Sequence, residues 1–508
     1  MDNDKTQTNG IDLNYSPILS YYCGKKVFLT GVTGFLGECF VTKLLRIGVK
    51  TVYVLIRSRK KMTPQERLDK LLQSPIFEPL RKERPDFAHH IVLIDGTLDQ
   101  LELNISIADQ TTLFENIEII VHSAADVRFD VPLAEAALRN IRGTRELLKL
   151  AKRMKKLENF IHISTAFAFC MRNVIGEDFY EPPLDSDVII RITESLASES
   201  DLDILNAVGA KIIKPWPNTY TFSKAITEDL VRKYRKYFKI TIVKPSIVTA
   251  TFHEPIEGWA SNYSGANGVF AGIVGGVLRC LKLEENVAID MVYGDYVING
   301  TLAAAYEVST NKNVNPPIYN IISSNDYITT FDAMVKEILP HRKSAVPLIA
   351  LWYPAFNFCH FGISYFFYNM ALHVIPAVIF DTVLSLSGKK RRILKLYRQI
   401  HSFGDVINFF ICSSFKFENN NMKRVCRNMT LGDKKKFPCD FGEVNWPEYR
   451  DTYVYKGIVA TLLGDRSDKQ TLKQNALKMG AVHYSFLTLC VCLFSYVFYV
   501  VLKKIFPI

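Results

Sequence analysis

The chain predicts an α/β protein: a doubly wound parallel sheet, a mostly helical C-terminal domain and a C-terminal transmembrane helix. Three observations carry that expectation. Short apolar runs alternate with amphipathic stretches from residue 26 to residue 246, a glycine-rich turn joins the first run to the first amphipathic stretch, and residues 479–502 contain no Asp, Glu, Lys or Arg.

Residues 1–19 are a polar tail without the basic-then-apolar order of a secretory signal, so the bulk of the chain is expected in the cytosol. VFLT (27–30) reads as a strand because β-branched and aromatic residues suit a pleated, buried surface, and the amphipathic segment after its glycine turn reads as a helix. TVYVLIR (51–57) closes a βαβ unit, and strands are expected again in HHIVLID (89–95), IEIIVHSAA (117–125), ENFIHISTAFAF (158–169) and KITIVKPS (239–246). Helices are expected at 133–154 and 220–237. Strands buried on both faces read as continuous apolar runs, as these do, which points to a parallel sheet. The N-terminal α/β domain is taken as 20–323, the C-terminal domain as 324–472 and the membrane anchor as 479–502. Residues 344–380 also lack Asp, Glu, Lys and Arg, but prolines 347, 354 and 376 interrupt them, and two readings stand: a second transmembrane or re-entrant segment, or a docked helix pair that faces lipid or covers the substrate.

The ten cysteines form no CxxC and no paired framework, which suits reduced thiols, and no His or Cys spacing suggests a metal. The formal charge of +11 admits nucleic acid, an anionic membrane or an anionic substrate. The basic clusters at 57–61, 389–392 and 434–436 lack aromatic interleaving and any helix-turn-helix or zinc-finger setting, which argues against nucleic acid.

Gly31, Gly34 and Gly37 directly follow the first strand and open a helix, the setting in which backbone N–H groups receive a pyrophosphate. At the end of the second strand, where a carboxylate would bind a ribose 2′-hydroxyl, stand Arg57 and then Arg59. A guanidinium pairs with a 2′-phosphate that a carboxylate would repel, so NADP(H) is the expected cofactor. Tyr220 and Lys224 lie one helical turn apart, so a phenol and an ammonium share a face, and the positive charge is expected to lower the phenol toward proton-transfer range. Ser164 and Thr165 end the preceding strand as a candidate hydroxyl pair.

With these residues assembled, the chain resembles the extended short-chain dehydrogenases/reductases, and among them the alcohol-forming fatty acyl-CoA reductases. The likeness rests on motifs in order: VHSAADVRFD (121–130), NIRGT (140–144), FIHISTAFA (160–168), NTYTFSK (218–224), VKPSIV (243–248), EPIEGW (254–259) and IYNI (318–321). Beyond them, LWYP (351–354), HVIPAVIFD (373–381), KFENNN (416–421) and FGEVNWPEY (441–449) resemble the family's C-terminal male sterility region. The resemblance implies a Rossmann sheet holding NADP(H) through Gly31, Thr33, Gly34, Phe35, Leu36, Gly37, Arg57, Arg59, Ser123, Ala124, Ala125 and Lys224. It makes Tyr220 the proton donor, Lys224 its electrostatic partner, Thr165 rather than Ser164 the hydroxyl facing the reacting oxygen, and Asn140 the prop of the catalytic helix or of a relay water. It further implies a long-chain fatty acyl-CoA substrate reduced through an aldehyde, and a bilayer, peroxisomal or endoplasmic-reticulum, with the catalytic domain facing the cytosol. Thr97, Ser261 and the pair Tyr293-Gly294 depart from the family pattern. A membrane-bound dehydrogenase acting on a sterol or sugar nucleotide would share the nucleotide-binding residues but not the C-terminal motifs; a non-catalytic relative would be expected to lack Tyr220 or Lys224.

Overall fold

The computed structural model describes residues 15–505 apart from 60, 196–198, 285 and 312. Residues 1–14 of the polar tail and Lys60 of the first basic cluster lie outside the described residues. The chain divides into two compact units, one formed by the segments up to Ile256, Asp290–Ile328 and Phe415–Val444, the other by Glu257–Ile289, Thr329–Ser414 and the segment from Asn445 onward. The units are not continuous in sequence: the chain passes between them after Ile256, Ile289, Ile328, Ser414 and Val444.

The first unit is built on β1 (Lys26–Thr30), β2 (Thr51–Ile56), β3 (Ile91–Asp95), β4 (Ile119–His122), β5 (Asn159–Ile163), β6 (Ile240–Pro245) and β7 (Ile318–Ile321). They form one sheet in the order β7-β6-β5-β4-β1-β2-β3, with every neighbouring pair parallel. Strand order reverses between β1 and β4, where Thr30 pairs with His122, and in an open parallel sheet the crevice beyond the C-terminal strand ends at such a reversal receives the ligand. The strands are near-continuously apolar because both faces are covered; Phe28, Ile94, Ile120, Phe160, Ile242 and Ile318 share one buried cluster with Phe222. Helix α1 (Phe35–Arg46) follows β1, α2 (Pro64–Leu72) follows β2, α3 (Gly143–Ala151) precedes β5, α4 (Thr219–Lys233) precedes β6 and α5 (Gly294–Thr310) precedes β7. A π-helical stretch, Ala137–Arg142, leads into α3 and carries Asn140.

The second unit is mostly helical. Its strands are short: Cys280–Lys282 beside Asn357–Cys359, and Ala288–Ile289 beside Thr329–Thr330. Helices α6 (Gly362–Asn369) and α7 (Ile375–Leu386) run on through a π-helical stretch, and α8 (Ile393–Ile411) returns after them. The last helix, α9 (Lys469–Ile505), is 37 residues long. At about 1.5 Å per residue it exceeds the roughly 30 Å of a bilayer's hydrocarbon. Its N-terminal part packs through Ala476 on Val346 and Tyr353, and the Trp352 indole N–H donates to His483 at 2.9 Å. From Phe486 to Leu502 its large apolar side chains are exposed, except the half-buried Val500.

Candidate active site

Gly31 has φ +83°, a left-handed conformation that side chains resist, and a Cβ there would lie 2.7 Å from the Ala124 nitrogen. A Cβ on Gly37 would lie 2.1 Å from the Gly31 carbonyl oxygen, so these two glycines are needed for the turn and for α1 to approach it. Gly34 differs. It precedes α1, and a Cβ there would meet only the Gly31 oxygen, at 3.3 Å, which leaves the backbone open to an approaching ligand. The first intrahelical bond runs from Glu38 N–H to the Gly34 carbonyl, so the N–H groups of Phe35, Leu36 and Gly37 precede it and suit an anion. The fit to a dinucleotide pyrophosphate is therefore good.

Across the switch point, Ala124 N–H donates to Thr30 Oγ1 at 3.3 Å, and His122 bridges Thr30 and Thr144 through its two ring nitrogens at 2.8 and 2.9 Å. Burial, reinforced by the charge of Lys224, pushes His122 down to about 3, so it stays neutral and holds the floor under residues 123–125. At the end of β2, Arg57 stands 3.5 Å from Asp99, whose other oxygen accepts from Thr97 Oγ1 at 2.7 Å. Thr97 thus orients the nearby carboxylate at Asp99, two residues beyond the position where the family pattern places an acid. Arg67 on α2 was not singled out from the sequence. Its guanidinium donates to the Arg57 carbonyl at 2.5 Å and to Thr33 Oγ1 at 3.2 Å, tying the basic turn to the glycine turn. Burial, then the charges of Arg59 and Arg57, lowers its affinity for the proton. The capping box Thr63/Glu66 and Pro64 at the first helical position are the local signals for the helix that delivers it.

Asn218 caps α4 by accepting from Thr221 N–H at 2.9 Å, which places Tyr220 in the first turn and Lys224 one turn on. The Thr165 side chain, which accepts from Phe167 N–H at 3.3 Å, lies near enough to the Tyr220 phenol to influence its acidity, and the Tyr220 ring stacks on Phe129 with centroids 5.8 Å apart. Lys224 donates to the Ile163 carbonyl at 2.7 Å, at the C-terminal end of β5. Burial lowers Lys224 to about 8 against the opposing attraction of Glu228. The expectation that Lys224 lowers the phenol is not what this geometry gives. Burial raises the Tyr220 phenol above its ordinary value, with the neighbouring Thr165 side chain opposing, while the ammonium is turned to a carbonyl.

Ser164 and Thr165 face different partners. Ser164 donates to Glu228 Oε1 at 2.5 Å, and Glu228 Oε2 stands 3.1 Å from Lys244 Nζ, whose side chain is wholly buried. Asn140 accepts from Asp126 N–H at 2.8 Å and donates to Ser223 Oγ on α4 at 3.0 Å. Its backbone carbonyl accepts from Thr144 and Thr227 hydroxyls at 2.6 and 3.4 Å, so the carbonyl and side chain together clasp α4. At Gly294 a Cβ would lie 2.6 Å from the ring of Phe35, so any larger residue at the start of α5 would force that ring to shift. Among the described residues no cluster of His, Cys, Asp or Glu suits a metal.

The sheet, the glycine turn at its reversal and the Tyr220, Lys224 and Thr165 arrangement beside it define an oxidoreductase that binds a nicotinamide dinucleotide. Two family models described as "Male sterility protein" match residues 29–301 and 372–465. The chain is 33% identical over 495 residues to "Fatty acyl-CoA reductase wat" of Drosophila melanogaster, covering 96% of this chain and 94% of that one. It is 33% identical over 483 residues to "Fatty acyl-CoA reductase 1" of Homo sapiens, covering 95% and 93%. This chain belongs to the fatty acyl-CoA reductase family. In fold it is similar to the reductase domain of a nonribosomal peptide synthetase from Mycobacterium tuberculosis, with TM-score 0.57, 18% identity, and coverage of 88% of this chain and 95% of that one. It is likewise similar to the terminal R domain of the myxalamid pathway, with TM-score 0.54, 20% identity, and coverage of 86% and 91%.

Proposed function

We propose that this enzyme reduces long-chain fatty acyl-CoA to a primary alcohol and free CoA, through a fatty aldehyde, with NADPH. The observation that carries the reading is the buried Tyr220 phenol beside the Thr165 side chain, with the buried Lys224 one helical turn on, in a chain alike over nearly its full length to fatty acyl-CoA reductases. The glycine turn would hold the pyrophosphate, with Ser123, Ala124 and Ala125 beside it. Arg57 and Arg59 would pair with the 2′-phosphate, with Arg67 bracing them against Thr33. When bound, the cofactor supplies hydride, once to the thioester carbonyl and once to the aldehyde.

The chain's own groups supply the rest. Oxygen gains negative charge in both reductions, and Thr165 and Tyr220 are the two hydroxyls positioned to donate to it, Tyr220 transferring its proton. A phenol raised by burial stays protonated until that charge develops, so it is an acid in the resting site. Lys224, charged below about pH 8 and held by the Ile163 carbonyl, would bind the ribose hydroxyls of the cofactor. Asn140 holds α4, and with it Tyr220, against the β4 loop. In the first reduction the hemithioacetal collapses, expelling CoA thiol and leaving aldehyde for the second. The apolar α9 would anchor the enzyme in a peroxisomal or endoplasmic-reticulum membrane with its catalytic unit toward the cytosol, where lipid substrate and product reside.

The test is stoichiometry. Membranes containing the protein, given palmitoyl-CoA, are expected to consume about two NADPH for each alcohol and CoA released, since each hydride transfer uses one nucleotide. Accumulation of aldehyde alone would refute alcohol formation, and preference for NADH would refute the role given to Arg57 and Arg59.

A further inference from the structure

Helix Gly362–Leu386 is built inside out for a protein in water. Its buried stripe is His373, Ala377 and Asp381, one turn apart, and two of these three are polar. Its outward side carries Phe361, Ile363, Phe366 and Phe367 at 75%, 75%, 57% and 65% exposure, then Ile375, Ile379, Val383 and Leu386. A surface helix in water turns its apolar stripe to the core, so the phase of this helix calls for an apolar medium on the outside.

Composition and length would also let this helix cross a bilayer, but its attachments do not. At its midpoint the Leu372 carbonyl accepts from the Arg279 guanidinium, and His373 Nε2 accepts from Arg279 N–H at 3.0 Å. A crossing helix would carry that guanidinium to the centre of the hydrocarbon, where a charge is least tolerated. The returning α8 exposes Lys395 and Arg398, and its buried Tyr397 donates to the Val277 carbonyl at 3.1 Å, so it is no second crossing. The turn between the helices is fixed, because the Asp381 carboxylate accepts from the N–H groups of Arg392, Ile393 and Leu394 at 2.9, 3.0 and 2.9 Å. That turn exposes Lys389, Lys390, Arg391 and Arg392 in succession.

The same Arg279 lies 5.9 Å from the Trp352 ring centre, and the Trp352 N–H bonds His483 on α9, just before its exposed apolar stretch. One short chain of contacts therefore joins the two apolar elements of this unit.

We propose that Gly362–Leu386 lies in the plane of one membrane leaflet, its phenylalanines and isoleucines among the acyl chains and Lys389–Arg392 among anionic headgroups. The occupant of the exposed face is a lipid surface, which the basic turn complements and the apolar face requires. This inference stands apart from the reaction assigned above, and its test does not read activity.

Full-length protein is reconstituted into sealed vesicles of phosphatidylcholine and phosphatidylserine containing a photoactivatable phosphatidylcholine, and adducts are mapped by mass spectrometry. Adducts on peptides spanning 361–386 as well as those spanning 486–502 are expected. In parallel, a membrane-impermeant amine reagent added outside should modify Lys389 and Lys390 in proportion to Lys149 of the first unit, whose side chain is 52% exposed. Adducts confined to 486–502 would overturn the proposal. So would protection of Lys389 and Lys390 until the vesicles are opened, which means a crossing, or cross-linking of 361–386 to a second protein in place of lipid. The variant K389Q/K390Q/R391Q/R392Q should lower adducts on 361–386 about threefold or more on anionic vesicles and little on pure phosphatidylcholine. Equal yields from the variant and the parent on anionic vesicles would overturn the headgroup contact.

Discussion

Glu228→Gln tests how the floor of the site is held. One Glu228 oxygen accepts from Ser164 at 2.5 Å and the other stands 3.1 Å from Lys244, with side-chain exposures of 2% for Glu228 and 0% for Lys244. Glutamine keeps an acceptor for Ser164 but removes the charge, leaving a buried ammonium without its counter-ion. Breaking a buried pair from one side costs about 3–5 kcal/mol, which lowers the melting midpoint of a domain of this size by roughly 10 °C. A second effect follows, because the Glu228 carboxylate opposes the fall of Lys224 caused by burial. Without it Lys224 drops below about 8, and the alkaline limb of the rate profile should move to lower pH. The control is Glu228→Gln with Lys244→Met, which removes the orphaned cation and should recover at least half of the lost midpoint. Thermal melts of the full chain in detergent and pH–rate profiles of the folded fraction are the assays. A single variant melting within about 1 °C of the parent, or a double variant no better than the single, would refute the reasoning.

Tyr220→Phe removes the proton donor without touching the glycine turn, so turnover should fall by about 10²–10⁴-fold while nucleotide binding, read by fluorescence, stays within a few-fold of the parent. Arg57→Ala with Arg59→Ala should cost NADPH at least tenfold in kcat/KM and leave NADH little changed, since about 1.4 kcal/mol of charge-assisted bonding is tenfold. Equal losses for both cofactors would place these arginines outside the 2′-phosphate site. Lys224 sits at about 8 in the folded chain against an ordinary 10.5, so between those values the unfolded chain binds the extra proton and stability rises with pH. Urea midpoints should increase across that window by the equivalent of about 3 kcal/mol and lose the slope in Lys224→Met.

Six of the seven strands of the main sheet were legible because a strand covered on both faces leaves a continuous apolar run. The seventh, Ile318–Ile321, is four residues long and follows an excursion through the second unit, so it stood out only as a motif. Glycines 31, 34 and 37 were legible from spacing and position. Arg67 was not, since its link to Thr33 spans 34 positions and depends on how α2 packs. Nor was Glu228, whose neighbour Lys244 lies on β6 while Ser164 lies beyond β5.

Local pattern alone determined the alternation of strand and helix, the opening of α1 by a glycine turn, the shared face of Tyr220 and Lys224, and the apolar run of α9. Each depends on residues within a turn or two of one another, where helical and pleated periods bring side chains together whatever surrounds them. Only the tertiary structure decided that Thr165 lies beside the phenol while Ser164 is drawn to Glu228, and that burial outweighs Lys224 in setting the Tyr220 phenol. It also decided which face of Gly362–Leu386 is turned out. Those outcomes depend on which distant groups share a buried space, and desolvation there is set by the whole packing and not by any stretch of sequence.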